Sequence, residues 1–337
     1  MGDEVRALVI GLGSMGKRRV RNLQALGISD IAGFDVREDR RAEAAGKYGI
    51  ATYPDFDTAL REHRPDALVI STSPDLHMHY AFAAAAAKLP CFIEASVVEA
   101  DRILELHKLV EGTPTLMAPS CTMRFFPGPM KVKALITEGV IGTPVNLNYQ
   151  TGQRLEDWHP WEHIKDYYVS NRATGAGREI VPFELTWLND IFGEPEPLAC
   201  AKAKLSDMDA DIDDLYHCLL RYPGGMLANM TVEVISRPNA TRELRVLGNR
   251  GQIVFSADEN CVRYAAVGSD EWTRFPLGGG SVEAGYINPE EPYIAEMKCY
   301  VDAVRTGNKS LYPNTLLADY RILRTLYALE ALSERPV

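Results

Sequence analysis

Residues 11–16 read Gly-Leu-Gly-Ser-Met-Gly and stand between an apolar run, Val5-Arg6-Ala7-Leu8-Val9-Ile10, and a segment in which Val20, Leu23 and Leu26 recur at helical spacing. A buried strand, a glycine-rich turn and a helix in that order open a dinucleotide-binding βαβ unit. Gly11 permits the tight turn, Gly13 lets a pyrophosphate approach the backbone, and Gly16 lets helix and strand pack closely. Ser14 and Met15 begin the helix, whose N-terminal N–H groups and partial positive charge favour phosphate. Asp35 ends the next apolar run, about 20 residues on, where a carboxylate meets the adenosine ribose hydroxyls and repels a 2′-phosphate. The pattern predicts NAD in preference to NADP. Arg37, two residues further, is the nearby group that favours a 2′-phosphate.

Strand and helix signals continue to alternate through residue 94. Helical segments are expected near 38–48 and 56–62, strands near 50–53, at 67–72 and at 91–94, and a helix begins after Ser73-Pro74-Asp75. Such alternation predicts a doubly wound parallel sheet of the Rossmann type. After about residue 120 the character changes. A helix is expected at 127–138, then strands near 144–150, 198–205, 214–222, 226–235, 242–248, 252–256, 261–266 and 271–275, and long helices at 291–306 and 314–333. Consecutive strands without intervening helices predict an α/β domain with a large, mainly antiparallel open sheet. The expected division is a dinucleotide-binding domain at 1–122 and a substrate-binding and oligomerisation domain at 123–337.

Composition narrows the function. A formal charge of -10 repels phosphate backbones, so no nucleic-acid partner is expected. No run approaches the roughly 18 apolar residues of a membrane span, and no membrane partner is expected. The acidic start, running directly into a strand, carries no signal-peptide pattern and predicts a cytoplasmic protein. The six cysteines (91, 121, 200, 218, 261 and 299) form no C-x-x-C pair and read as free, buried thiols. No His/Cys grouping has metal-ligand spacing, so no metal is expected. The basic cluster Lys17, Arg18, Arg19 and Arg21 reads as a solvated helix face or as help with cofactor phosphate. The acidic run Asp209–Asp214 reads as a solvated loop.

These stretches together resemble the Gfo/Idh/MocA family of sugar and inositol oxidoreductases. The resemblance lies in G-L-G-S-M-G-K-R-R-V-R-N-L (11–23), S-T-S-P-D-L-H (71–77), M-R-F-F-P (123–127), D-W-H-P-W-E (157–162) and the helical tail from Pro292 to about Ser333. It implies a Rossmann domain followed by an α/β domain whose open sheet often mediates dimer contacts. It also brings Ser71, Thr72, Pro74, His77 and Glu94 into the cofactor site.

The departures from the family pattern bear on chemistry. Where the family shows Glu-Lys-Pro, with a lysine that orients substrate and moves a proton, this chain has Glu94-Ala95-Ser96. Where the family carries a glycine triplet followed by an acidic residue and a catalytic histidine, it reads Gly175-Ala176-Gly177 through Trp187, with Phe183 at the histidine position and Thr186 at a nearby aspartate position. No histidine lies between His163 and His217. A positioned acid or base is worth about 10²–10⁴ in rate, so a replacement is required for alcohol oxidation.

The candidates for proton transfer are His159, Glu184, Glu179 and Tyr167. A histidine titrates near neutral pH, and a desolvated glutamate acquires a raised pKa. Arg124, Trp158, Trp161 and His163 are candidates for binding a carbohydrate-like substrate through charge and aromatic faces. The expected function is hydride transfer between NAD and a sugar, sugar nucleotide or polyol, in a homodimer or homotetramer. Two alternatives stay open at this point: a cofactor-binding sensor or partner protein without turnover, and a redox-neutral enzyme that recycles NAD.

Overall fold

A computed structural model describes residues 5–159 and 162–334. The chain divides into two compact units, Met1–Thr122 with Glu290–Tyr320, and Met123–Pro289 with Arg321–Val337.

The first unit carries β1 (Ala7–Ile10), α1 (Ser14–Ala25), β2 (Ile31–Phe34), α2 (Glu38–Tyr48), β3 (Ala51–Tyr53), α3 (Phe56–His63), β4 (Ala67–Ile70), α4 (His77–Ala86), β5 (Cys91–Ile93), α5 (Ala100–Val110) and β6 (Met117–Pro119). Its six strands are parallel in the order β3-β2-β1-β4-β5-β6. Every residue of β1, β2, β4 and β5 is buried, as an all-parallel sheet covered on both faces requires. The strand order reverses between β1 and β4, and the crevice at such a reversal is where doubly wound sheets bind ligands. The parallel Rossmann sheet is therefore as expected. The structure adds α5 and β6 to the elements expected from the sequence; Ala100, Ile103 and Leu106 of α5 are buried at helical spacing.

The second unit continues with α6 (Pro127–Thr137), β7 (Pro144–Gly152), α7 (Gly177–Phe192), β8 (Glu196–Ala203), β9 (Leu215–Arg221), β10 (Leu227–Glu233), β11 (Thr241–Gly248), β12 (Gly251–Ser256), β13 (Cys261–Ala266) and β14 (Thr273–Pro276). These eight strands form one sheet in the order β14-β13-β12-β11-β7-β10-β9-β8, antiparallel except where β10 runs parallel to β7. Alternation along the central strands β7, β9 and β10 gives it two faces. Leu147 and Tyr149 of β7, Cys218 and Leu220 of β9, and Met230 and Val232 of β10 are buried on the face against which α6 and α7 pack. Asn148, Gln150, His217, Leu219 and Asn229 alternate with them and are exposed.

The boundary expected at 123–337 needs correction. The helix α8 (Glu291–Thr306) and the start of α9 (Leu316–Ser333) belong to the first unit. The cause is a buried ion-pair network. Glu290 accepts from Arg18, Arg21 and the Asn22 amide at 2.8–3.0 Å. Arg19, fully buried, donates to Glu94 and to Glu296. Tyr300 adds a hydrogen bond to the Leu68 carbonyl, 2.9 Å long. Neither reading of the basic cluster therefore describes Arg18, Arg19 and Arg21, whose partners Glu290 and Glu296 lie some 270 residues away in sequence.

Candidate functional site

The glycine turn 11–16 lies at the carboxyl end of β1. Gly11 has φ +89°, and a Cβ there would stand 2.7 Å from the Ser71 carbonyl oxygen. A Cβ on Gly16 would stand 1.8 Å from the Gly11 oxygen, so no larger residue fits. At Gly13 a Cβ would meet only the tip of Arg40, at 3.4 Å. The turn is thus closed towards the sheet and open, at Gly13, towards a ligand. Gly13 caps α1 with no side-chain hydrogen bond, and no acidic residue occupies the helix's first turn. An anion therefore meets only the positive end of the helix dipole there.

Asp35 is buried, and both its oxygens hold backbone: Oδ2 accepts from Leu12 N and Oδ1 from Arg37 N, each at 2.8 Å. This fixes the carboxylate beside the glycine turn while leaving acceptor capacity for ribose hydroxyls. Arg37 turns to its neighbour Asp39. Its guanidinium is held in a two-point pair by Asp39, which draws that carboxyl down to about 2. The arginine beside the glycine turn is Arg40, 3.8 Å from Asp35 and adjacent to Gly13. The sequence reading missed Arg40, because within Arg37-Glu38-Asp39-Arg40-Arg41 only the helical turn of α2 decides which arginine points back.

Ser71 and Thr72 follow β4 and abut Gly11. Pro74 starts a short 3-10 turn. His77 is buried and bonds the Thr72 carbonyl through Nε2 at 3.1 Å. Burial pushes its pKa down to about 4, against smaller opposite effects of Thr72 and Asp75. His77 is therefore a neutral strut for the 72–77 turn. Glu94 is the bidentate partner of Arg19, at 2.6 and 3.0 Å, with the Ser71 hydroxyl 3.5 Å away. It anchors the end of β5. The glycine turn, the open face of Gly13 and the fixed Asp35 fit a dinucleotide.

On the second unit, residues 155–180 bring the other candidates together. His159 stacks on Tyr167 with centroids 4.6 Å apart and planes 21° from parallel. Its Nδ1 lies 3.4 Å from Glu162 Oε2. Tyr167 meets Tyr168 edge-on, and the Tyr168 hydroxyl donates to Glu179 Oε1 at 2.7 Å. Both tyrosines pack on an apolar cluster of Leu155, Ile164, Val169, Ala176, Met208, Ile212 and Val234. Burial lifts the Glu179 carboxyl to about 7, against the lowering effect of Tyr168. Its Oε2 is buried and has no hydrogen-bond partner among the described residues. The Tyr167 phenol is pushed well above its ordinary value by burial and by Glu162 and Glu179, so it stays protonated.

Other candidates are committed elsewhere. Glu184 is fully buried and accepts from Tyr149 OH, Trp187 Nε1 and Arg242 at 2.6–2.7 Å. Three donors on a fully buried carboxyl suit a structural anchor between α7 and the sheet. Arg124 donates to the Thr186 carbonyl and pairs with Asp190. Trp158 donates Nε1 to the Gln153 carbonyl and packs on the apolar cluster. His163 is exposed and accepts from Lys165 N. Trp161 lies outside the described residues. The run Asp209–Asp214 is solvated only in part: Asp209 and Asp211 are exposed, whereas Asp214 accepts from Leu205 N and Ser206 N, and Asp213 binds Arg172 and Lys202.

Comparison with known proteins agrees with this geometry. A family model described as an oxidoreductase family, NAD-binding Rossmann fold, matches residues 5–111, and one described as a GFO/IDH/MocA C-terminal domain matches residues 130–254. The myo-inositol 2-dehydrogenase of Thermotoga maritima is 29% identical over 90% of this chain and 89% of its own length. An oxidoreductase from Agrobacterium radiobacter, solved with NAD+, L-tartaric acid and magnesium, superposes with a TM-score of 0.85 at 15% identity, covering 98% of this chain and 96% of that one. A levoglucosan dehydrogenase solved with NADH and levoglucosan gives 0.84 at 17% identity, covering 98% and 97%.

Proposed function

The chain belongs to the Gfo/Idh/MocA family of oxidoreductases, and from that premise we propose that it oxidises or reduces a cyclic polyol or sugar, with Glu179 handling the hydroxyl proton. Bound NAD supplies the hydride acceptor or donor. Gly11, Gly13, Gly16 and the first turn of α1 hold its pyrophosphate, and Asp35 its adenosine ribose.

The observation that carries the proton assignment is the state of Glu179. An alcohol that loses hydride must also lose its hydroxyl proton, and an acid or base works best with a pKa near the working pH. Glu179 has such a value, about 7. One oxygen is steadied by Tyr168 and the other is buried without a partner. Tyr167, protonated, can donate to a substrate oxygen, and its ring with that of His159 offers a stacked aromatic surface for a sugar face. This set takes over the work of the family's lysine, for which Ala95 has no proton to move.

The experiment is a titration of the purified protein with NADH, followed by turnover on inositols, anhydrosugars and aldoses. Glu179→Gln is expected to lose turnover by about a hundredfold or more while the NADH dissociation constant changes less than twofold. Undiminished turnover in Glu179→Gln would remove Glu179 and turn attention to His159→Ala. Tight NADH binding without turnover on any polyol or sugar would overturn the dehydrogenase reading in favour of a sensor or a redox-neutral reaction.

A further inference from the structure

Two of the six cysteines stand directly across from each other. Cys200 on β8 and Cys218 on β9 are Cα partners in the antiparallel register, so their side chains leave the sheet on the same face. That face is the helix-covered one, shared by the buried Tyr216 and Leu220. Both thiols are free. Opposed residues of an antiparallel pair have Cβ atoms about 4.5–5.5 Å apart, and a disulfide needs roughly 3.5–4.5 Å. The adjustment required is small, and β8 can make it. It is the edge strand of the sheet, with a register shift between Pro197 and Ala199 just before the cysteine.

The two sulfurs are also unequal. Cys218 is 1% exposed, whereas Cys200 is only half-buried. Interaction with the Cys218 thiol lowers the Cys200 pKa against the effect of burial, and Lys202 adds to the lowering. The same contact, with burial, holds Cys218 well above its ordinary value. Cys200 is the more exposed of the two and the more readily ionised, with a protonated, sequestered thiol beside it. Attack by the first and resolution by the second is the order such a pair imposes.

We propose that Cys200 and Cys218 form a reversible redox pair that takes a hydroperoxide as oxidant and closes a disulfide between β8 and β9. The Cys200 thiolate attacks the peroxide oxygen; an S–O bond forms, the O–O bond breaks, and the leaving hydroxide takes up a proton as water. The Cys218 sulfur then attacks the sulfenic sulfur; the S–S bond forms, the S–O bond breaks, and the Cys218 proton leaves with the hydroxyl as a second water. Two thiols lose two electrons and one hydrogen peroxide gains them. A dithiol reductant reverses the change.

The bond closes a loop of about 17 residues. That loop carries Met208 and Ile212 into the apolar cluster on which Tyr167 and Tyr168 pack. It is already tied back by the Asp213–Lys202 and Asp214 contacts near its two ends. A covalent link across its base therefore stiffens the support of the Glu179 group without touching that group.

The test treats the full-length protein with hydrogen peroxide, blocks remaining thiols and maps peptides by mass. Free thiols are expected to fall from six to four per chain, with a linked peptide joining Cys200 and Cys218. The oxidised protein is expected to melt about 5 °C higher or more, and dithiothreitol returns both readings. In Cys218→Ala, dimedone is expected to trap a sulfenic acid at Cys200; in Cys200→Ala, Cys218 stays unmodified. The proposal is overturned if six thiols survive peroxide, if the link joins a different cysteine, or if Cys218 oxidises in the absence of Cys200.

Discussion

At the residue scale, Glu179 ties stability to pH in a direction opposite to most carboxylates. Its folded pKa, about 7, lies above the ordinary 4.5 because burial penalises the charged form. A group raised in this way contributes stability in full below about pH 4.5 and loses it as pH rises through 7. At pH 8 the fold therefore holds an ionised, poorly solvated carboxylate at a cost of about 3 kcal/mol. Glu179→Gln is expected to be more stable than the parent by up to that amount in urea melts at pH 8, with the gain shrinking towards pH 5. An equal gain at both pH values would show that the carboxyl is not desolvated. Much at this scale was legible in the sequence. The glycine turn and Asp35 stand out because their roles follow from local geometry and spacing. Glu179 could be named as a carboxyl in an apolar stretch, but not separated from Glu184. The two differ only in partners: Tyr168 alone for one, and Tyr149, Trp187 and Arg242 for the other. The identity of Arg40 was likewise hidden, since it depends on which way one turn of helix points.

At the element scale, the elements with clean periodicity were readable and those joined by distant partners were not. The central strands of the second sheet alternate between buried and exposed positions, so their existence and order along the chain follow from pattern. The helix α7 was missed because Pro182 sits inside it and proline argues locally against a helix interior. It enters through Ala176, which holds φ +58° and ψ -137° without being glycine, at a position where the family carries a glycine triplet. The return of α8 to the first unit depends on Arg19, whose guanidinium is buried between Glu94 and Glu296 and lies 4.4 Å from the centre of the Phe92 ring. Removing one member of a buried pair strands the other, at about 3–5 kcal/mol. Arg19→Met and Glu296→Gln are each expected to destabilise on that scale, and a double-mutant cycle should return a coupling above about 1 kcal/mol. Strict additivity would mean that α8 is held by the packing of Tyr293 and Tyr300, and that the ion pair is incidental to the domain boundary.

At the scale of the whole molecule, the second sheet sets the question of assembly. An eight-stranded sheet with helices on one side leaves its other face to water or to a partner. That face is not apolar, because alternation has placed amides there: Asn148, Gln150 and Asn229 on the central strands β7 and β10 are exposed. Pattern gave the alternation but not which of two similar sets faces outward, and the more apolar set went to the helices. Two large apolar side chains do remain on the open face beside the amides, Leu219 at 40% and Leu227 at 46% exposure. Leu219 pairs with Asn229 across β9 and β10, and Leu227 with Asn146 across β10 and β7, so both border the middle of the sheet. A broad face of amides around a few leucines can satisfy its hydrogen bonds against a second copy of itself, which a two-fold axis presents in the same pattern. A homodimer or homotetramer assembled through this face is therefore expected, with a buried area on the order of 1,600 Å². Light scattering at micromolar concentration should give at least twice the chain mass. Leu219→Arg combined with Leu227→Glu should lower it to the monomer while NADH affinity, which depends on the first unit, stays within about twofold. A parent protein that is monomeric under these conditions would rule out the assembly; a double variant that stays oligomeric would place the interface on another surface.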